Sequence, residues 1–513
     1  MAGTQAKGLA LAGGCLLAAA ATIAQAGAIE LTPLGGMPPT DHVGPGVGID
    51  YFASGLAFAD FDNDHSLDLV MTSSSAGNVL LANAGNGVLQ VSPRSADIAL
   101  PGAFHGGALA LDYDNDGWRD LLVLSLDRVQ LFRNQAGEGF ADVTVASGLG
   151  DLRIQGESAA AGDIDGDGLL DIYLVGWFDI GHPLTSDRLL RQRQGGGFDD
   201  WSAALTLATR ARPGFAASML DLDDDGDLDI YVVNDKQVGN ALWRNDGPGC
   251  GSWCFTDVAA ATGAARPVFG MGLGHGDYDH DGDLDLYFSS IGEQVLLRNE
   301  LQSGHLAFTD VGSASGTRFT GIGWGAELVD LDNDGWLDIY LCTMNSAPSM
   351  GNRVYRNRGD GSFDDVSLAS GGSDNGPSVG LARGDFDDDG RIDLAIGNWR
   401  ERYVLYRNQT APGGNWLGLR LVGTGAVNRD AVGAKVYIND SAGRRHRRDV
   451  HLGSGMGGSG DVRIHVGLGN ASATDGLIRW PDGTIQWIAP VMGAYQDVVY
   501  AGVPERMHAN GFE

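Results

Sequence analysis

Positive charge is scarce in this chain. Its 34 Lys and Arg face 66 Asp and Glu, and the formal net charge of −32 argues against nucleic acid as a partner. Cysteine is scarce as well, limited to Cys15, Cys250, Cys254 and Cys342. One Cys-x3-Cys pair without nearby partners is no zinc ligand set, although Cys250 and Cys254 could close a small disulfide loop in an oxidising compartment. Cys342 lies in an apolar run and reads as a buried, inert thiol. No sustained 3.6-residue apolar periodicity appears, so amphipathic helices are not expected. Motifs of catalysis are missing too: there is no Gly-x-Ser-x-Gly elbow, no His-Glu-x-x-His helix and no P-loop.

Long apolar runs are confined to the N-terminus. Lys7 precedes an apolar stretch from Leu9 to Ile23, and Ala24-Gln25-Ala26 ends it as a small-x-small cleavage site. Residues 1–26 therefore read as a signal peptide cleaved after Ala26. A lipoprotein signal acylated at Cys15 is the weaker alternative, because much of the apolar region follows the cysteine. No other stretch could span a bilayer. The expected location is after export: periplasmic, cell-surface or extracellular. Outside the cell, calcium sites with dissociation constants of about 10⁻⁴ to 10⁻³ M are filled.

What the chain has in abundance is glycine and placed aspartate. With 80 Gly, 16 Pro and 19% charged residues, it suits short strands joined by tight turns. One nonapeptide occurs seven times with Asp at its first, third, fifth and ninth positions. The sets are Asp60, Asp62, Asp64 and Asp68; Asp112, Asp114, Asp116 and Asp120; Asp163, Asp165, Asp167 and Asp171; Asp221, Asp223, Asp225 and Asp229; Asp277, Asp279, Asp281 and Asp285; Asp330, Asp332, Asp334 and Asp338; and Asp385, Asp387, Asp389 and Asp393. Four carboxylates in nine residues, with Gly at the sixth so that the backbone can turn, suit a hard cation. Calcium fits best, since four carboxylates, the carbonyl of the seventh residue and water supply the six to eight oxygens it takes. Up to seven ions are expected, and they would offset nearly half of the net charge, so folding should depend on the metal.

An EF-hand is excluded. Its twelfth position must be a bidentate Glu, whereas here that position is Met71, Val123, Leu174, Val232, Phe288, Leu341 and Ile396. The loops are followed by short runs such as Ile172-Tyr173-Leu174-Val175, so each is expected to join two strands. Solvated acidic turns would not keep one four-Asp register through seven copies. The first loop departs from the others with His65 at the sixth position, where the turn favours Gly, and its ion is expected to be the weakest.

The loops recur at intervals of roughly fifty residues, the mark of a repeat architecture. Five residues before each first Asp the side chain is small: Gly55, Gly107, Ser158, Ala216, Gly272, Gly325 and Gly380. This fits an inner strand crowded against its neighbours around an axis. A third strand follows each loop, as in Leu131-Phe132-Arg133-Asn134 or Leu405-Tyr406-Arg407-Asn408, and then a fourth beginning at Phe140, Phe255, Phe308 or Phe363. Four strands repeated seven times predict an all-β fold, a seven-bladed β-propeller over residues 27–410. The third unit is irregular, with Gln192 where Asn is expected. The seventh lacks a fourth strand, and Ile29 to Thr32 is predicted to supply it by pairing near residues 403–408, closing the ring and removing an edge.

A composition change at Ala411-Pro412-Gly413-Gly414-Asn415 marks a linker. Residues 411–500 then alternate as strands without the Asp loop, predicting a small all-β C-terminal domain, and 501–513 read as a tail. The basic run Arg444-Arg445-His446-Arg447-Arg448 is expected to be a solvated hairpin tip; the sharper reading docks it on the acidic propeller or on an anionic glycan.

The loops resemble the FG-GAP and VCBS repeats of integrin α-subunit-like propellers over roughly residues 45–408. Asn428-Arg429-Asp430-Ala431-Val432-Gly433-Ala434-Lys435, His465-Val466-Gly467-Leu468-Gly469 and Arg479-Trp480-Pro481-Asp482-Gly483 resemble the ASPIC/UnbV domain. Together with the signal peptide, the chain is similar to the cartilage acidic protein family, which has bacterial members. The resemblance implies a secreted calcium-binding protein with interaction roles and brings no catalytic residue. Of the scattered histidines, His105 and His275 could face the central channel, but a lone His there is more often structural than a general base. An exported binding or adhesion module for an extracellular protein or glycan is the expected function. A calcium-dependent enzyme acting on polysaccharide and a purely structural surface protein are the alternatives.

Overall fold

The computed structural model describes residues 28–34, 54–73, 77–85, 87–101, 105–177, 186–250, 253–344, 351–399, 401–411, 414–453 and 456–502. The expected signal peptide, its cleavage site and the tail beyond residue 502 lie outside them, as do Pro412 and Gly413 of the expected linker.

Seven four-stranded antiparallel units, blades 1 to 7 in chain order, follow one another along the chain; the fifth and sixth are joined by pairing of Ile291, Gly292 and Glu293 with Ile322, Gly321 and Thr320, and the first carries Gly458–Ser459 as a fifth strand. In blade 1 the strands are Leu56–Ala59, Asp68–Met71, Val79–Asn83 and Leu89–Val91, and in blade 2 they are His105–Leu111, Asp120–Ser125, Val129–Asn134 and Phe140–Asp142. Each Asp nonapeptide joins the first strand of its blade to the second. The seventh blade is built from Ser378–Gly384, Asp393–Asn398 and Val404–Asn408, and its fourth strand comes from the other end of the chain. Leu31–Pro33 pairs antiparallel with it, Leu31 opposite Asn408 and Pro33 opposite Tyr406. This removes the edge that an open seventh blade would expose.

The first strands pack side by side around the axis, and the small residues of that face leave no room for a side chain. A Cβ on Gly380 would stand 1.9 Å from the carbonyl oxygen of Ser54, and one on Gly272 would stand 2.4 Å from that of Trp324. The first of these contacts joins blade 7 to blade 1. Between blades, apolar side chains of facing sheets interleave, as Tyr173, Val175, Ala217, Ile230 and Trp243 do between blades 3 and 4. Cys342 is buried as a free thiol in blade 6, and Cys250 and Cys254 are joined as a disulfide in blade 4.

Residues 415–500 form two further sheets. One orders Ile464–Gly469, Asn415–Val422 and Tyr495–Val499; the other orders Arg445–Asp449, Lys435–Asp440, Ala473–Arg479 and Ile485–Ile488. Their core, with Leu419, Val436, Val466, Ile478 and Trp480, is continuous with apolar side chains of blades 2 and 3 such as Leu109, Leu122 and Leu174.

A segment of this domain enters the axis of the ring. The carbonyl of Gly457 accepts hydrogen bonds from the backbone N–H groups of Leu56 at 3.1 Å and Ala108 at 3.2 Å, in blades 1 and 2. Gly458–Ser459 runs parallel to Leu56 and Ala57. The carbonyl of Leu452 accepts from Ala161 N–H in blade 3, and the carbonyl of Gly453 accepts from Ser218 Oγ in blade 4. His451 packs edge to face on His275 of blade 5, ring centroids 4.2 Å apart. The side chain of His275 thus meets protein on the axis, and His105 is buried within its blade, bonded to Ser125 Oγ and the Leu100 carbonyl. Among the described residues, no helix is long and apolar enough to cross a membrane.

Candidate metal sites and the domain that covers them

The four Asp positions carry different loads, and for the first, fifth and ninth the division is the same in every blade. The first accepts the backbone N–H of the sixth residue, from 2.7 Å for Asp112 with Gly117 to 3.2 Å for Asp277 with Gly282. The fifth accepts the N–H two residues on, as Asp116 does from Trp118 and Asp389 from Arg391, both at 3.0 Å. These bonds hold the turn. The ninth is a bridge: Asp68 accepts from Asn83 N–H at 2.8 Å and Phe61 N–H at 3.2 Å, so it ties the loop to the third strand. The third accepts from an arginine in five blades: Arg133 on Asp114, Arg191 on Asp165, Arg356 on Asp332 and Arg407 on Asp387 all come from the third strand, at 2.5 to 2.9 Å. In blade 1, Arg94 takes that place on Asp62.

After these bonds are made, every loop keeps a buried carboxylate oxygen with no hydrogen-bond partner. They belong to Asp62, Asp114, Asp165, Asp221 and Asp223, Asp277 and Asp279, Asp330, and Asp387, all at first or third positions. A buried acceptor left unpaired costs free energy, and a cation removes the cost. The carboxylates converge as such an ion requires. Ligand atoms lie within 4.8 Å of one another in the groups Asp60, Asp62 and Asp64; Asp112, Asp114 and Asp120; Asp163, Asp165 and Asp171; Asp221, Asp223 and Asp225; and Asp277, Asp279 and Asp285. Each group could hold a metal ion. Burial and then mutual repulsion push the carboxylates up: Asp277 to about 7 and Asp279 to about 6, with Asp330 and Asp338 well above the usual range. Around an ion those same charges would be compensated.

Two links between blades were not read from the motif. The fourth position is also left-handed, at φ 57° in Asn63, 58° in Asn115, 59° in Asp224 and 59° in His280. Its composition, mostly Asn and Asp with one Gly and one His, is the signal that could have found it, because those residues tolerate this conformation. The side chain then reaches the next blade: Asn63 Nδ2 donates to the carbonyl of Gly117, Asn115 to Gly168, and Asn333 to Gly390. The second link is the Asn that ends each third strand. Asn134 donates to the carbonyl of Phe61, Asn245 to Ile164, Asn299 to Leu222, Asn357 to Tyr278 and Asn408 to Leu331, always the second loop residue of another blade. Gln192 in the irregular third unit does the same to Tyr113 at 2.6 Å.

The basic run is not a solvated tip. Arg445–Asp449 is a strand, and its side chains dock on the acidic face of the ring. Arg447 Nη1 donates to the carbonyl of Gly282 at 2.7 Å, and Arg444 Nη1 donates to that of Asp334 at 2.9 Å. His446 is buried, its pKa pulled down to about 4 by burial and the nearby Arg448. Turn carbonyls and carboxylates crowd this face of an acidic ring, so arginine stems and guanidinium groups are its natural cover.

The rest of the C-terminal domain spreads over the same loops. Asp430 accepts from the N–H of Asp112 through Oδ2 and pairs with Arg119 through Oδ1. Lys435 Nζ lies 2.6 Å from Asp221 Oδ2 and bonds Asp224 as well. Arg463 donates to the carbonyl of Asp385 and pairs with Asp388 at 2.7 Å, while Tyr495 donates to Asp385 Oδ2 at 3.1 Å. His465 meets Asn333 Oδ1 at 2.7 Å. The face that bears the Asp loops is therefore an internal interface over much of its area.

Family models match both parts of the chain. The FG-GAP-like repeat model matches residues 112–174, 221–288, 277–341 and 330–396, and the ASPIC and UnbV model matches 423–496. Cartilage acidic protein 1 of Mus musculus is 26% identical over 470 residues, covering 84% of this chain and 70% of that protein. The Homo sapiens protein of the same name is 25% identical, covering 84% and 69%. Among solved structures, an Agrocybe aegerita lectin in a study of non-reducing terminal N-acetylglucosamine recognition aligns over 68% of this chain and 87% of its own, at 18% identity and a TM-score of 0.42. A Bacillus licheniformis rhamnogalacturonan lyase aligns over 88% and 91%, at 12% identity and a TM-score of 0.34.

Proposed function

From FG-GAP-like repeats followed by an ASPIC and UnbV domain, we propose that the chain is an exported, calcium-stabilised binding module for an extracellular protein or glycan. The observation that carries the metal half of this reading is the buried, unpartnered carboxylate oxygen in every loop. All four Asp positions of each loop are offered as ligands or as supports of ligands, and calcium suits their hard oxygens and flexible spacing. The ions act as staples beside the turn of each blade. They do not form one reactive centre, and the axis, which could have held a catalytic pocket, is entered by the chain's own residues 451–453 and 457–459.

Recognition then falls to surfaces that the C-terminal domain leaves free. Loops held on a rigid ring are suited to this, since the scaffold bears the ordering cost and the loops vary. The test is a glycan and protein binding screen on the calcium-loaded chain, repeated after chelation. Partners lost on chelation and regained with calcium support the reading. A chain that retains no partner in either state, or that turns over glycans in a calcium-dependent way, contradicts it.

A further inference from the structure

One loop is left open by the covering domain. The first-position carboxylates Asp112, Asp163, Asp221, Asp277, Asp330 and Asp385 are buried, whereas Asp60 is half-buried and the turn after it, Asn63, Asp64 and His65, is exposed. Among the described residues, the C-terminal domain bonds this loop only through Arg420 Nη2 and the His65 carbonyl, at 3.5 Å. The gap is a cavity of about 400 Å³. Its lining includes Asp60, His65 and Asp112 of the ring and Arg420, Val422 and Arg429 of the C-terminal domain. A volume of this order suits a small-molecule site.

The cations around it are not equivalent. Arg119 is committed to Asp430, Arg463 to Asp461 and Asp388, and Arg420 to Asp497 at 3.3 Å. Arg429 is exposed; its backbone N–H bonds Asn115 Oδ1, but its guanidinium has no ion-pair partner among the described residues. An ion held by Asp60, Asp62 and Asp64 in an exposed turn would keep coordination positions for outside oxygens, because calcium takes six to eight. A guanidinium and a partly coordinated calcium share one preferred guest, a carboxylate. The apolar wall, with Phe58, Leu67 and Val499, suits a ring or an aliphatic body behind that carboxylate.

We propose that this cavity binds a small carboxylate ligand, held between the ion of the first loop and Arg429. The inference rests on the calcium reading of the loops. Such a carboxylate could belong to a free organic acid or to a uronate unit of a glycan, and one experiment separates these sources. Titration calorimetry on the full, calcium-loaded chain would use D-glucuronate, acetate and D-glucose as probes, with calcium uptake measured on the same samples. The expected result is saturable binding of D-glucuronate, lost on chelation and weakened about tenfold or more by Arg429→Gln, which removes a charged hydrogen-bond donor from an exposed position. D-glucose should not bind. Equal binding of acetate assigns the site to carboxylates in general, and its absence assigns it to uronates. Calcium uptake without binding of either carboxylate overturns the cavity inference alone, as does binding indifferent to Arg429→Gln. A chain that takes up no calcium overturns this inference and the metal reading together.

Discussion

The side-chain amide of Asn83 donates a 2.6 Å hydrogen bond to the carbonyl of Phe386, joining the first blade to the seventh. It repeats, across the closure of the ring, the bond that Asn134 makes to Phe61 and Asn245 makes to Ile164. Asn83→Ala leaves a buried carbonyl without its donor, which costs about 1 to 3 kcal/mol. Urea denaturation should show a lower midpoint with an unchanged slope. A change of the same size from Asn134→Ala would mark the two as equivalent staples.

The turn at His65 stores strain that the other loops avoid. Its φ is 76°, a conformation that Gly adopts freely and that a bulky side chain adopts at a cost of about 1 kcal/mol or more. His65→Gly should raise the melting temperature and strengthen calcium binding at the first loop. An unchanged calcium affinity would show that the turn conformation does not limit that site.

Glu157 lies in the first strand of blade 3, buried, with neither carboxylate oxygen partnered. Burial raises its pKa well above the ordinary value of 4.5. A group whose folded pKa is raised contributes stability that is fully present below its unfolded pKa and lost as pH rises through the folded value. The wild-type chain should therefore lose stability, relative to Glu157→Gln, as pH rises above about 4.5 toward neutrality and beyond. Melting temperatures of the two proteins in calcium-containing buffers across that range check the sign. A wild-type melting temperature that rises relative to that of Glu157→Gln as pH increases would contradict it.

Lys435 and Asp221 are each 3% exposed, and their contact joins the C-terminal domain to the fourth loop. Lys435→Met removes the charge that pairs with Asp221 while keeping most of the stem. Breaking a buried pair on one side costs about 3 to 5 kcal/mol, because the remaining charge is uncompensated. An ion in the same loop would supply that compensation, so the variant should be destabilised more in chelator than in calcium. Equal losses in both conditions would show that the loop holds no ion next to Lys435.

The parts of this protein that repeat were legible in its sequence. Asp at four fixed positions, Gly at the sixth and a small residue five before the first Asp each follow from a constraint that recurs seven times, so the loops, the blades and the crowded inner face could be read directly. A closing strand at Ile29 to Thr32 is predicted because an unpaired edge in the last blade has to be covered, and the strand begins two residues later, at Leu31–Pro33. What happens once was not legible. The docking of Arg444 and Arg447 on turn carbonyls, and the entry of Gly457 into the axis, depend on surfaces that meet only after both parts have folded. A basic run judged alone looks solvated. Opposite a face crowded with carbonyls and carboxylates it becomes the cover of that face.

Equilibrium dialysis of the purified chain against calcium, with the melting temperature followed in parallel, tests most directly whether the repeated loops are metal sites. The predicted result is uptake approaching one ion per loop and a rise in melting temperature that chelation reverses, as binding to the folded state alone requires. Uptake of no calcium, or the same melting temperature with and without it, would contradict a calcium-stapled ring.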